Sequence, residues 1–177
     1  DSQLSEVNAG YTLFWIGRSE EECRKAGVGF AIKSNLVNKI VGPPKGIHDR
    51  LMTVQLPLPR KPYATLLSAY APTMINLNEI KNKFYEELRS TIAAMPRPDK
   101  LIILGDFNTQ VGADHTSWDG VLGKYGIGRC NSNGLLLLET CAAHELLITN
   151  SCLPPTTSQQ DVVDAPTLQA LASAQLR

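Results

Sequence analysis

The segment Leu101–Asn108 (Leu-Ile-Ile-Leu-Gly-Asp-Phe-Asn) constrains this chain most. Its unbroken apolar run before Gly105 reads as a central strand, buried on both faces of a sheet. Such a strand holds its backbone rigidly, and Gly105 permits close approach or an unusual dihedral. Asp106 then projects where the sheet ends, the usual place for ligands in α/β folds. Asn108 shares its side of an extended chain, because side chains two apart point the same way.

The remaining periodicities supply elements around that strand. Tyr11–Ile16 and Val28–Lys33 read as strands, and Leu36–Val41 as a third, stopped by Gly42-Pro43-Pro44. Leu51–Leu58 alternates, with Met52, Val54, Leu56 and Leu58 on one buried face. Pro57 and Pro59 put its end near a sheet edge. Ala64–Tyr70 is a further strand. The period then changes. Asn76 and Glu79 have the spacing of a capping box, and Ile80, Phe84, Leu88 and Ile92 follow at steps of four. This predicts an amphipathic helix over Leu77–Met95, closed by Pro96 and Pro98. Gly112–Asn133 reads as a long loop, Asn133 as the cap of a helix over Gly134–His144, and Leu146–Thr149 as a strand. After Asn150 the composition becomes that of a linker, and Asp164–Arg177 reads as a short helix. Strands, helix, buried strand, loop, helix and strand in this order fit a layered α/β (α+β) architecture.

Composition narrows the class without naming a function. The chain has 177 residues, 43% of them hydrophobic, which suits one globular domain with a real core. Lysine plus arginine equals aspartate plus glutamate, 17 each, so bulk charge offers nucleic acid no attraction. No apolar run is long enough to span a bilayer. The start, Asp1-Ser2-Gln3, has neither basic nor apolar character of a signal peptide, and it has no Met, as in a chain that begins inside a longer product. Cys23, Cys130, Cys141 and Cys152 form no C-x-x-C pair and no metal spacing with His48, His115 or His144. Reduced thiols and an intracellular, nuclear or cytoplasmic location are therefore expected.

Two segments carry chemistry. A carboxylate at Asp106 can hold Mg²⁺, which prefers oxygen ligands, or orient a water that attacks phosphorus. Asn108 offers an uncharged amide that donates to a phosphate oxygen without repelling it. The plain structural alternative is an Asp-x-Asn turn that closes a strand through its own side chains. Ser68-Ala69-Tyr70-Ala71-Pro72-Thr73 also ends a strand in a polar and aromatic group. The Tyr70 hydroxyl can bond a phosphate oxygen, although a tyrosine at a strand end more often serves packing.

Tyr-Ala-Pro-Thr (70–73), a helix containing Lys-Phe-Tyr-Glu-Glu-Leu (83–88) and Leu-Ile-Ile-Leu-Gly-Asp-Phe-Asn together resemble the endonuclease/exonuclease/phosphatase (DNase I-like) superfamily. The resemblance is closest to endonuclease domains of LINE-type retrotransposons and to craniofacial development protein 2-like proteins. Residues 9–15, 27–32, 49–52, 133–138 and 147–150 add to it, and it covers about residues 4–153. It implies a four-layer α/β/β/α sandwich and Mg²⁺-dependent (Mn²⁺ as a substitute) phosphodiester hydrolysis in DNA. In that reading Asp106 binds the metal and positions the attacking water, Asn108 holds the phosphate, Tyr70 contacts the scissile phosphate and Thr73 binds substrate.

Members of that superfamily also carry an early strand ending in Asn, a second ending in a metal-binding Glu, and a late strand followed by Asp-His. None precedes Tyr11 or follows residue 153 here. Glu6 is a poor substitute for the Glu. Asp114-His115 sits in the loop after Asp106, Asp161 and Asp164 have no following His, and His144 falls on a helix. The expectation is a partial domain over 1–153, an incomplete sandwich truncated at both ends, with a divergent 154–177 and weak or lost turnover. The alternative is a non-catalytic remnant that acts as a binding module.

Overall fold

The computed structural model describes residues 7–8, 10–17, 27–59, 61–154 and 168–173. Glu6, Asp161 and Asp164 lie outside them. The described residues form a mixed α/β fold and fall into two compact units, divided at Tyr70/Ala71, Met95/Pro96 and Ile103/Leu104. Among them no helix is long and apolar enough to cross a membrane, which says nothing of a β-barrel.

The first unit begins with β1 (Val7–Asn8), β2 (Tyr11–Gly17) and β3 (Gly27–Lys33), an antiparallel sheet in that order. Tyr11 pairs with Lys33 and Gly17 with Gly27. Thr12 and Val28 point inward, while Tyr11, Leu13 and Trp15 stay exposed on the other face. The strand expected at Leu36–Val41 is not formed. Ser34–Val37 is a single helical turn, α1, and its chain then turns through Gly42, whose φ of +74° suits a residue without a Cβ. The short β4 (Lys45–His48) pairs only with the first part of β5 (Leu51–Leu58). Pro57 therefore lies beyond the reach of β4 on that side, which is how a strand tolerates a residue with no N–H.

β6 (Lys61–Tyr70) pairs antiparallel with β5, from Leu51 opposite Ala69 to a bulge at Pro57/Leu58. β7 (Lys100–Asp106) follows β6 in the strand order β4-β5-β6-β7. Leu51, Met52, Leu67 and Ile103 are fully buried in this unit's core. Leu51 and Met52 are buried together, so the alternation read from β5 is broken at its first step. At the root of β7, buried Asp99 accepts from Gln55 Nε2 at 2.9 Å and Thr65 Oγ1 at 3.0 Å. Those donors answer the desolvation of its carboxyl.

The second unit carries α2 (Asn78–Ala93), the end of β7, α3 (Ser132–Ala143), β8 (Leu146–Ile148), a 3-10 turn at Thr149–Cys152, and β9 (Leu168–Ser173). β9 lies between β7 and β8 in the strand order and runs antiparallel to β8. The helix expected over Asp164–Arg177 is thus replaced by a strand at Leu168–Ser173. The stripe of α2 also differs from expectation. Lys81, Phe84, Tyr85, Leu88 and Ile92 are buried, whereas Ile80 is 44% exposed. A helix advances 3.6 residues per turn, so Tyr85 and Lys81 share the inward side with Phe84 and Leu88. Phe84 and Tyr85 meet edge to face at 5.2 Å. β7 likewise alternates: Leu101 and Ile103 are buried while Leu104 is 36% exposed, so one face rather than both is covered along its length.

The loop after β7 is anchored at intervals. Val111 bridges to Cys130, Leu122 bridges to Ile148, and Ser151 Oγ accepts from Gly123 N at 2.7 Å. Cys130, Cys141 and Cys152 are free thiols. Burial pushes the Cys141 thiol from 9.0 up to about 12. Its raised pKa favours the fold below the unfolded value, and that contribution is lost as pH rises from about 9.0 through about 12. Iodoacetamide on the native chain at mildly alkaline pH is expected to label exposed Cys152 and to leave Cys141 unmodified until denaturant is added. Equal labelling of the two, read by peptide mass mapping, would show that Cys141 is not enclosed.

Candidate functional site

The chemistry-bearing residues of the second unit converge where β7 ends. Phe107 is fully buried, and its neighbours Asp106 and Asn108 are half-buried. One residue thus pins the strand end while the polar side chains on either side stay accessible. Asp106 Oδ1 accepts from Asn108 N at 2.8 Å, the side-chain-to-backbone turn expected of Asp-x-Asn. Asn108 adopts φ +48°, the left-handed region that asparagine tolerates better than most residues. Gly105 is not among the residues of positive φ, so the unusual dihedral falls three residues later than expected.

The Tyr-Ala-Pro-Thr segment enters the second unit at Ala71. Ala71 N donates to Asp106 O at 2.9 Å, and Asn108 Nδ2 donates back to Ala71 O at 3.0 Å. Thr73 donates through both N and Oγ1 to Asn76 Oδ1, at 2.8 and 2.9 Å. Its hydroxyl hydrogen is therefore engaged in its own turn. Asn76 consequently does not cap α2. The N-cap is Leu77, which makes no side-chain cap, and the capping box read from Asn76 and Glu79 is absent. A carboxamide that already accepts two donors from Thr73 has turned away from the helix amides.

Tyr70 belongs to the first unit. Its backbone exchanges hydrogen bonds with Arg50: Tyr70 N donates to Arg50 O at 3.0 Å, and Arg50 Nη1 donates to Tyr70 O at 3.1 Å. The Arg50 guanidinium also lies 5.3 Å from the ring centroid, within cation–π range. The packing role that a strand-end tyrosine usually has is therefore present.

Sequence pattern alone passes over Asn131 and gives Asn133 a different role, that of helix cap. Asn131, not Asn133, caps α3, its side chain accepting from Gly134 N at 2.7 Å. Asn133 is inside the helix and fully buried. Its Nδ2 donates to Pro72 O at 2.8 Å and to Asn108 O at 3.2 Å, and its backbone carbonyl accepts from Tyr85 Oη at 3.2 Å. Burial raises the Tyr85 hydroxyl pKa far above its ordinary value, so it stays a donor. The available signal was Asn131-Ser132-Asn133-Gly134, which offers two asparagine caps only two residues apart. Periodicity alone does not choose between them.

Asp114, His115 and His144 make contacts of their own. Asp114 is fully exposed, and hydrogen bonds from Ser117 hold its carboxyl below the usual range. His115 Nδ1 lies 3.3 Å from Ala113 O, so the pair serves its own loop. His144 is the C-cap of α3, where burial and then Arg89 lower its pKa. Among the described residues no group of three His, Cys, Asp or Glu is placed to hold a metal ion. Asp106 contributes a lone carboxylate with one oxygen already bonded. Mg²⁺ fills most of its shell with waters and substrate phosphate oxygens around one or two carboxylates, so Asp106 by itself is a sparse donor set for it.

No family model matches the chain. Among solved structures it is similar to an endonuclease/exonuclease/phosphatase from Beutenbergia cavernae DSM 12333, with TM-score 0.42 and 15% identity, over 76% of this chain and 38% of that one. Among curated proteins it is similar to craniofacial development protein 2 of Bos taurus, 30% identical over 150 residues, which is 84% of this chain and 24% of that protein. The protein of the same name from Tragulus javanicus is 28% identical over 150 residues, 84% of this chain and 25% of its own length. The chain thus spans about a quarter of the length of these curated relatives, 24% and 25%.

Proposed function

We propose that the chain carries one wall of a phosphodiester-hydrolysing site of the endonuclease/exonuclease/phosphatase type, acting on DNA, and that it turns over weakly by itself. The observation that supports this reading most is the closed set of hydrogen bonds joining Asp106 and Asn108 to Ala71, which gathers the two motif segments at one strand end. Asp106 keeps one oxygen to accept a proton from an attacking water. Asn108 uses one amide hydrogen on Ala71 O and keeps the other for a phosphate oxygen. A neutral donor there stabilises the charge that grows on phosphate oxygens in the transition state. Tyr70 enters this reading only through the motif it shares with the superfamily. Mg²⁺ belongs to the chemistry of that superfamily, where it would offset phosphate charge beside Asp106, but the described donors do not enclose it. The same shortage of carboxylates supports the second reading, a module that binds DNA without cutting it.

Nicking of supercoiled plasmid, with Mg²⁺ and in parallel Mn²⁺, separates the two. Under the first reading purified chain nicks slowly, and Asp106→Ala removes that activity by about 10²–10⁴-fold, the usual contribution of a catalytic acid or base. Nicking indifferent to Asp106→Ala would overturn it. Retarded migration of DNA without any nicking would favour the binding module.

A further inference from the structure

We infer that Asn133 is the positioning residue of this site: its buried carboxamide locks Asn108 in the left-handed backbone conformation and thereby sets the aim of Asp106 and Asn108. The lock itself stands on geometry, whereas its effect on turnover rests on the hydrolase reading above.

A fully buried asparagine in the first turn of a helix needs an explanation. Both hydrogens of its amide are spent on loop carbonyls, Pro72 O at 2.8 Å and Asn108 O at 3.2 Å. Its Oδ1 is buried with no hydrogen-bond partner. Rotating the amide by half a turn would bring that oxygen against two carbonyl oxygens, so the orphaned acceptor follows from serving those two loops. A structural filler would be better served by an apolar side chain. The Asn108 carbonyl is the informative partner. It belongs to the residue of φ +48°, and it accepts from Asn133 Nδ2 at 3.2 Å. The Asn108 N–H then reaches Asp106 Oδ1, and its side chain reaches Ala71 O. Without Asn133 the left-handed well has lost its outside support, and Asn108 is free to leave it. Asp106 would then lose the donor that orients its carboxylate. Tyr85, on the Asn133 backbone carbonyl, holds the start of α3 in place so that the carboxamide arrives at both loops.

The test measures amide hydrogen exchange by NMR alongside plasmid nicking. In folded Asn133→Ala, exchange of the Asn108 backbone amide is expected to quicken at least about tenfold while Leu88, in the middle of α2, keeps its protection. In Asn133→Asp, a protonated carboxyl can still donate to one carbonyl but an ionised one cannot. Asn108 protection, corrected for intrinsic exchange, should therefore return as pH falls, and it should not return in Asn133→Ala. If Asn133→Ala does not fold, the pH response of Asn133→Asp decides. Asn108 protection that ignores both substitutions, or that ignores pH in Asn133→Asp, overturns the inference. On DNA, kcat should fall at least about tenfold with KM nearly unchanged, the pattern of lost aim rather than lost binding. A wild-type chain that does not nick, together with the expected exchange pattern, would sink the hydrolase reading and leave the positioning role standing.

Discussion

Phe107→Ala is expected to destabilise the second unit by about 3–5 kcal/mol, the range for an aromatic truncated in a core. Phe107 has no exposed surface, and it is the only apolar residue between Asp106 and Asn108. Two effects add. The ring's own transfer from water is lost, and the surrounding residues cannot close over the void because the chain on both sides is tied by the Asp106 and Asn108 hydrogen bonds. Urea unfolding should show a lower midpoint at an unchanged slope. A loss below about 1 kcal/mol would mean that the site relaxes and that Phe107 does not pin the strand end. The same substitution should release Asp106 and Asn108 from their fixed side of the chain, so any nicking should fall further than stability alone accounts for.

Gly134→Ala tests the other side of the site. A Cβ on Gly134 would overlap the Gln110 carbonyl oxygen, and it would lie 2.8 Å from Gln110 C and 3.2 Å from Cys130 Sγ. The nearest obstacles are backbone, so no side-chain rotation relieves them. In an exposed helix interior Gly→Ala stabilises by about 1 kcal/mol. Forcing α3 away from residues 109–110 costs about 1–3 kcal/mol or more, and it also strains the bonds of Asn131 N to Gln110 O and Asn131 Oδ1 to Gly134 N. Because the obstacle is backbone, the upper part of that range applies, and a net loss of up to about 2 kcal/mol is expected in urea unfolding. A stabilised variant would contradict the close approach.

The parts of the fold that sequence disclosed were those where one strong period controls one face. The strand spans at Tyr11, Val28, Leu51 and Leu101 follow from apolar runs between Gly and Pro breaks, and β5 matches its expected bounds. The long helix ended within two residues of expectation at its C-terminus, where Pro96 enforces a stop. What was not legible depended on choices between equivalent local bonds. Asn76 had a helix N-terminus and Thr73 within reach, and it took Thr73. Asn131 and Asn133 both had capping chemistry, and only tertiary contact with Pro72 and Asn108 sends Asn133 inward. Leu36–Val41 is apolar enough for a strand, but the helical turn at Ser34–Val37 wins. Leu168–Ser173 carries helix-forming residues, yet it pairs with β8, a non-local contact that propensity does not contain. Of the candidate site, Asp106 and Asn108 were visible as a motif, while the residue that joins their loop to Pro72 was not.

The pairing of Asn133 with Gly134 has a chemical side as well. Asparagine followed by glycine is the dipeptide most prone to deamidation, because the next backbone nitrogen attacks the carboxamide carbon and closes a succinimide. Ring closure needs that nitrogen free and the side chain able to swing onto it. Here Gly134 N is held by Asn131 Oδ1, and the Asn133 carboxamide is held by two carbonyls inside a helix. The fold that uses this amide therefore also preserves it. A chain left unfolded would age at this bond, and what refolded would carry aspartate or isoaspartate in place of the donor that joins Pro72 to Asn108. Time spent unfolded would thus be written into the molecule at the residue least able to tolerate the change.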